Sequence, residues 1–505
     1  MNRSIRHLAL GLMACYIALF VMLNLWQVAR SQELSEAPDN TRQTLRDFNR
    51  PRGDIITADG EVVARSVPTT PGATLRYQRD YPQGELFSHI TGYHSFGLGS
   101  TQLERTRSEV LVGTTTEQQL LAIPGLISGE ADNAGAIELT LRADLQREAR
   151  RALGDREGSV VVVDVRTGAV LAMWSYPSFD ANLLANNDYD AAFAAMTDFT
   201  ADPGDPLLAN AYMQRYMPGS SFKIITTALG LEAGLIDIES AWPNESEYIP
   251  PQTDRPIRNY RGTICGGDLR EVFARSCNIP FARLAVDLGP EAFADGTARW
   301  GIGETVPIDL PRAAASTIGP TDDLDENLPL LAMRGFGGNE VQMSPLHMAM
   351  VAAAVANDGV MMKPHVVEAE LDRSGRVLSR TRPEVWTTVM TPADARLMTE
   401  LMQAVATDGT ARCCIGLEGG VPVAAKTGTA QLNAEGEPER SHAWIVAFAP
   451  ADDPRYAVAV MLKGTTEEIS AGTGGTLAGP IAKQMLDAAL AIEPAGQQAP
   501  GEAGP

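Results

Sequence analysis

The sequence predicts an α+β chain: an antiparallel sheet covered by helices, preceded by a smaller β-containing domain and one membrane-crossing helix. Three observations predict it. Two pairs of apolar, β-branched runs, Gly158 to Val165 with Ala169 to Ser175 and Ala443 to Ala449 with Tyr456 to Leu462, lie near opposite ends of one long region. The chain between them supplies helices to cover a sheet assembled from both ends. At the N-terminus, Leu8 to Val28 carries no formal charge and is long enough to span a bilayer.

Arg3 and Arg6 precede that apolar stretch, so the positive-inside rule puts residues 1–7 in the cytoplasm and everything after the anchor outside it. Arg30 follows at the far end, and Trp26 fits an interfacial anchor. A cleaved signal peptide is the rival reading, but no small-x-small cleavage site follows promptly, which favours a retained helix over 8–28. Residues 29–44 are polar and read as a linker.

Residues 45–138 read as a β-rich pedestal domain. Asp59-Gly60, set between Ile55-Ile56 and Val62-Val63, is a hairpin signal. The third domain, 139–492, opens with a helix from Arg142 to Leu153 and then a hairpin turning at Arg166-Thr167-Gly168. Its late strand pair is split at Ala451 to Pro454, with Lys426 to Gln431 as a further strand beside it and a packing helix from Thr476 to Ile492. The tail, 493–505, has the Gly, Pro, Ala and Gln composition of a disordered segment.

The chemistry gathers around Pro218-Gly219-Ser220-Ser221-Phe222-Lys223. A Pro-Gly turn entering a helix places Ser220 in its first turn and Lys223 three residues on, on the same face, where an amine can take the hydroxyl proton. Ser221 points elsewhere. Only five of the 41 basic residues are lysines, and two of these, Lys223 and Lys426, stand in motifs. Arginine supplies charge but cannot be deprotonated, so it could not serve as the base at 223. Helix-terminal N–H groups would favour a developing oxyanion. A serine with a reachable amine, plus a second lysine beside hydroxyls, suggests acyl transfer on an anionic substrate.

Ser220-x-x-Lys223, Ser276-Cys277-Asn278 and Lys426-Thr427-Gly428-Thr429 occur in the order found in penicillin-binding proteins and class A β-lactamases. With the anchor, Arg52 to Ile55, Gly99 to Arg105 and Ser441 to Pro450, the chain resembles a class B penicillin-binding protein, most like the actinobacterial A-type branch, over nearly its whole length. It departs from the usual pattern at Leu207 to Ala211, where relatives carry Asn-Arg-Ala.

The resemblance implies the penicillin-binding transpeptidase fold, a five-stranded antiparallel sheet with helices and a helical subdomain, and D,D-transpeptidation of peptidoglycan stem peptides. Ser220 would be the nucleophile and Lys223 its base, while Ser276 and Asn278 relay a proton and hold Lys223. Lys426, Thr427 and Thr429 would bind the terminal carboxylate, and Gly428 would let the strand approach the substrate. The N–H groups of Ser220 and Thr429 would form the oxyanion hole. β-Lactam antibiotics would acylate Ser220, and a SEDS-type membrane glycan polymerase within an elongation or division complex would be the partner. A D,D-carboxypeptidase or β-lactamase-like hydrolase would use the same motifs with water as acceptor. A third alternative is a cell-wall scaffold with dispensable acylation.

Cys265 and Cys277 either form a disulfide, expected to contribute about 3 kcal/mol, or remain two free thiols. Adjacent Cys413 and Cys414 could be unpaired, bridged to each other or paired elsewhere, and Cys15 is apolar filler. The net charge of -22 argues against nucleic acid as a partner. The six histidines lack ligand spacing, so neither a metal nor another cofactor is expected. Gly472-Thr473-Gly474-Gly475 has no following Lys-Ser/Thr and reads as a turn before the last helix, not a phosphate loop.

Overall fold

A computed structural model of the chain describes residues 2–24, 45, 48–120, 133–322, 324–433 and 440–492. The first helix, α1 (Asn2–Asn24), is long and apolar enough from Ile5 onward to cross a membrane, and its large apolar side chains are exposed. Such a surface suits hydrocarbon better than water. The helix begins ahead of the expected span. Residues 25–28 of that span, the expected linker over 29–44 and the expected tail over 493–505 all lie outside the described residues.

In the pedestal, β1 (Ile55–Ile56) and β2 (Val62–Pro68) form the expected antiparallel pair, turning at Gly60 with φ +83°. β3 (Tyr77–Asp80) extends it on one side, and β4 (Ala136–Leu139) runs parallel to β1 on the other. The sheet packs over a buried charge cluster. Arg52 Nε lies 2.5 Å and Arg79 Nε 2.6 Å from the two carboxylate oxygens of Glu104, and Tyr81 donates to Glu104 Oε1 at 3.2 Å. Burial pushes the Glu104 carboxyl up, but Arg79 and Arg52 outweigh it and hold the pKa at about 2.

After β4 comes α2 (Ala143–Leu153), whose first turn is capped from the pedestal: Asp59 Oδ1 accepts from Ala143 N at 2.8 Å. Arg147 makes a bidentate pair with Glu61, and Gln146 bonds both Leu86 O and Met173 O, fastening pedestal to catalytic sheet. β5 (Gly158–Asp164) and β6 (Val170–Tyr176) form the predicted hairpin. The helical middle includes α3 (Lys223–Glu232), α4 (Leu269–Ala274), α5 (Ile279–Leu288) and α6 (Pro345–Ala356).

The chain next returns to the pedestal. β7 (Val367–Leu371) and β8 (Val377–Arg380) complete its sheet in the order β8-β7-β4-β1-β2-β3. The expected division after Glu138 therefore falls inside β4, and the pedestal sheet contains two strands from the middle of the expected catalytic region. Sequence pattern could not reveal this, because strand partners so far apart leave no local signal.

α7 (Pro392–Thr407), β9 (Ala424–Gln431), β10 (Ser441–Ala449), β11 (Tyr456–Leu462) and α8 (Gly479–Leu490) finish the described fold. The central sheet has the order β9-β10-β11-β5-β6, antiparallel throughout. The two ends of the domain meet where β11 pairs β5, Tyr456 opposite Asp164 and Leu462 opposite Gly158. Every residue of β10 and β11 is buried, so both faces of the sheet are covered, with α6 and the α2/α8 pair packed against it. That explains the continuous apolar runs, which half-exposed strands would not tolerate. β9 occupies an edge.

Candidate active site

The serine turn is one turn of 3-10 helix, Gly219–Phe222, leading directly into α3 at Lys223. Gly219 has φ +53°, a conformation that favours glycine. Two neighbouring backbones grip the turn. A Cβ on Gly428 of β9 would come within 2.4 Å of Pro218 O, and one on Gly337 within 2.1 Å of Gly219 O. Gly219 N donates to Gly337 O at 3.1 Å, while Trp444 Nε1 of β10 donates to Met217 O at 3.0 Å. Ser220, half-buried, faces a cavity of about 440 Å³. Ser221 is buried and spends its hydroxyl on Pro218 O at 2.8 Å.

Behind the cavity lie both motif lysines, each 0 % exposed. Lys223 Nζ donates to Ser276 O at 2.8 Å and Asn278 Oδ1 at 2.9 Å, and reaches Ser276 Oγ at 3.4 Å. Lys426 Nζ donates to Ser276 Oγ at 2.7 Å and Thr427 O at 3.2 Å. Burial, then the charge of Lys426, brings the Lys223 pKa well below that of an ordinary lysine; burial alone brings Lys426 to about 7. A neutral Lys223 has two N–H bonds. Ser276 O and Asn278 Oδ1 can only accept, so they take both and leave the lone pair for a hydroxyl.

Ser276 sits at the end of α4 with φ +59°, an uncommon conformation for a residue with a side chain. Its surroundings fix it there. The α4 N-terminus has a capping box between Asp268 and Glu271, Asn278 N donates to Asn259 Oδ1 at 2.8 Å, and Cys277 is bridged to Cys265 with Cα atoms 5.7 Å apart. On the opposite motif, Thr427 and Thr429 line the cavity. Thr427 Oγ1 shares a 2.5 Å hydrogen bond with Thr410, and Thr429 Oγ1 accepts from Gly474 N at 3.4 Å.

This serine, amine and hydroxyl arrangement lies in a region matched by the Penicillin binding protein transpeptidase domain family over residues 158–487. The chain belongs to that family. The Penicillin binding protein A dimerisation domain family matches residues 52–137 of the pedestal. Peptidoglycan D,D-transpeptidase PbpA of Mycolicibacterium smegmatis is 36 % identical over 505 residues, 97 % of this chain and 99 % of that one. PbpA of Mycobacterium tuberculosis H37Rv is 33 % identical over 504 residues, 98 % and 100 % of the two chains. Penicillin-binding protein A from M. tuberculosis, solved as a ceftriaxone acyl-enzyme complex, superposes with a TM-score of 0.82 at 31 % identity, covering 88 % of this chain and all of that one.

Within this transpeptidase domain the structure brings all three motifs to one cavity, but their residues divide between its surface and its backing. Ser220, Ser276, Asn278, Thr427 and Thr429 line it, whereas Lys223 and Lys426 stand behind the wall. Gly428 was expected to let the strand approach the substrate; in the structure its missing side chain admits the serine turn. Cys413 and Cys414 are bridged to each other, one of the arrangements left open. At the Leu207 to Ala211 departure, Asn210 is satisfied by Tyr176 O at 2.8 Å and by the Tyr216 hydroxyl.

Several cavity residues of this penicillin-binding protein escaped the sequence reading. Thr473 and Gly475, read as part of a turn, form a wall next to Thr429, and Thr473 caps the single π-turn that leads into α8. The Phe336 to Asn339 stretch forms another wall. Its signal was the Gly-Phe-Gly-Gly sequence, a backbone built for close approach. Arg275, next to Ser276, also lines the cavity.

Proposed function

We propose that the chain is a membrane-anchored peptidoglycan D,D-transpeptidase that works through an acyl-enzyme at Ser220 and is acylated there by β-lactams. The single observation that carries this reading is Lys223: a buried amine with a depressed pKa, one helical turn from a half-exposed serine, with both N–H bonds committed to acceptors. It can take the Ser220 proton as the oxygen bonds to the carbonyl of the penultimate D-Ala. The amide C–N bond then breaks, and the proton reaches the leaving D-Ala amine through Ser276, whose oxygen both lysines touch. An amine of a second stem peptide then attacks the ester and regenerates Ser220.

Thr427 and Thr429 offer hydroxyls to the terminal carboxylate, and Lys426 contributes its charge from behind Ser276. The N–H groups of Ser220 and Thr429 serve as the oxyanion hole. Arg3 and Arg6, ahead of the apolar stretch of α1, support a cytoplasmic N-terminus with pedestal and transpeptidase domain outside, where the two disulfides persist. A SEDS-type membrane glycan polymerase is the partner in this reading, since its product is the polymer whose peptides Ser220 joins.

Labelling with a fluorescent penicillin, followed by peptide mapping, tests the reading. The adduct is expected on Ser220 and absent from Ser220→Ala. Turnover of a stem peptide onto a second amine distinguishes transpeptidation from hydrolysis; release of free acid alone would make the protein a carboxypeptidase.

A further inference from the structure

Among the described residues, Arg275 is the one formally charged side chain that lines the Ser220 cavity; the others are neutral, and both lysines are behind the wall. Arg275 is exposed, and no carboxylate among the described residues pairs with it. Among the described residues its one hydrogen bond runs 3.1 Å from Nη2 to the carbonyl oxygen of Ile264, itself 63 % exposed. A solvated rim arginine ordinarily means little, but the backbone under this one is fixed. The next residue is held at φ +59° and the one after that is disulfide-bridged, so the side chain starts from a set point on the cavity rim.

A carboxylate deep in the site meets Thr427, 5 % exposed, and Thr429, leaving the rim cation for an anion that stays at the mouth. We propose that Arg275 reads a second carboxylate on the peptide, one carried by the residue ahead of D-Ala-D-Ala. The site is then built for a stem peptide bearing a diamino dicarboxylic acid such as diaminopimelate, in preference to one bearing lysine. Arginine suits this task through its fixed fork of donors, several of which remain after the bond to Ile264. The inference rests on the transpeptidase reading above and adds a substrate class to it.

The test compares ligands that differ by one carboxylate, on the full-length protein in detergent. Acylation rates are measured for benzylpenicillin, with one carboxylate, and carbenicillin, with two. Acyl transfer is measured for pentapeptides ending in D-Ala-D-Ala with diaminopimelate or lysine at the third position. In Arg275→Gln the rate ratio of two-carboxylate to one-carboxylate ligand is expected to fall about three- to ten-fold, and less in Arg275→Lys. Added salt should shrink the wild-type ratio toward that of the variant. An unchanged ratio overturns the inference, whether or not absolute rates drop, since equal loss would mean that Arg275 only positions Ser276 or meets the terminal carboxylate. Failure of benzylpenicillin to acylate the wild type would instead remove the transpeptidase reading beneath it.

Discussion

Lys426 Nζ donates to Ser276 Oγ at 2.7 Å, joining residues 150 positions apart, and Lys223 Nζ reaches the same oxygen at 3.4 Å. Two buried ammonium groups around one hydroxyl are costly, so one amine is favoured in its neutral form. The hydroxyl can then accept from the charged partner, which leaves the lone pair of neutral Lys223 free to take a proton. Ser276 is thereby oriented before any substrate arrives.

Replacing Lys223 with Arg keeps a positive charge but removes the exchangeable lone pair. Acylation of Lys223→Arg by benzylpenicillin is expected to slow by about 10²- to 10⁴-fold, the range for losing a general base. Stopped-flow or gel-based rates with a fluorescent penicillin check this, and a variant acylating at the wild-type rate would exclude Lys223 as the base.

The pH dependence follows from both lysines. Acylation should rise with pH as Lys223 loses its proton, then bend down above about 7 as Lys426 loses its charge. Stability carries a separate signature. Between about 7 and the ordinary 10.5 the unfolded chain holds a proton at residue 426 that the folded protein has released, so Lys426 makes stability rise with pH across that window. Urea midpoints over the same range should rise less steeply in Lys426→Met than in the wild type.

Glu104→Gln leaves Arg52 and Arg79 buried without their carboxylate, and should destabilise the pedestal by about 3–5 kcal/mol. The wild-type triad stabilises fully above the ordinary carboxyl value of 4.5 and loses that contribution as pH falls through about 2. Thermal unfolding of the two proteins at neutral and acidic pH should therefore converge at the acidic end.

Removing the Cys265–Cys277 bridge as the double alanine variant should cost about 3 kcal/mol. It should also slow acylation in the remaining folded protein, because Ser276 loses a neighbour that holds its left-handed backbone. Activity per folded molecule, measured well below the melting temperature, separates the two effects; an unchanged value would confine the bridge to stability.

The sequence alone determined whatever is short-range: the apolar anchor, the β5–β6 and β10–β11 pairs, and the Ser220 to Lys223 step, since strand and helix periods are written in adjacent residues. It also carried the three motifs by resemblance. Only tertiary structure decided that β7 and β8 complete the pedestal sheet, that Lys426 serves Ser276 from behind the cavity wall, and that Gly428 makes room for the serine turn. Those facts depend on burial and on contacts between residues scores of positions apart. A lysine reads the same in sequence whether it ends in water or in the core, yet burial is what brings the Lys223 pKa well below its ordinary value and makes it useful as a base.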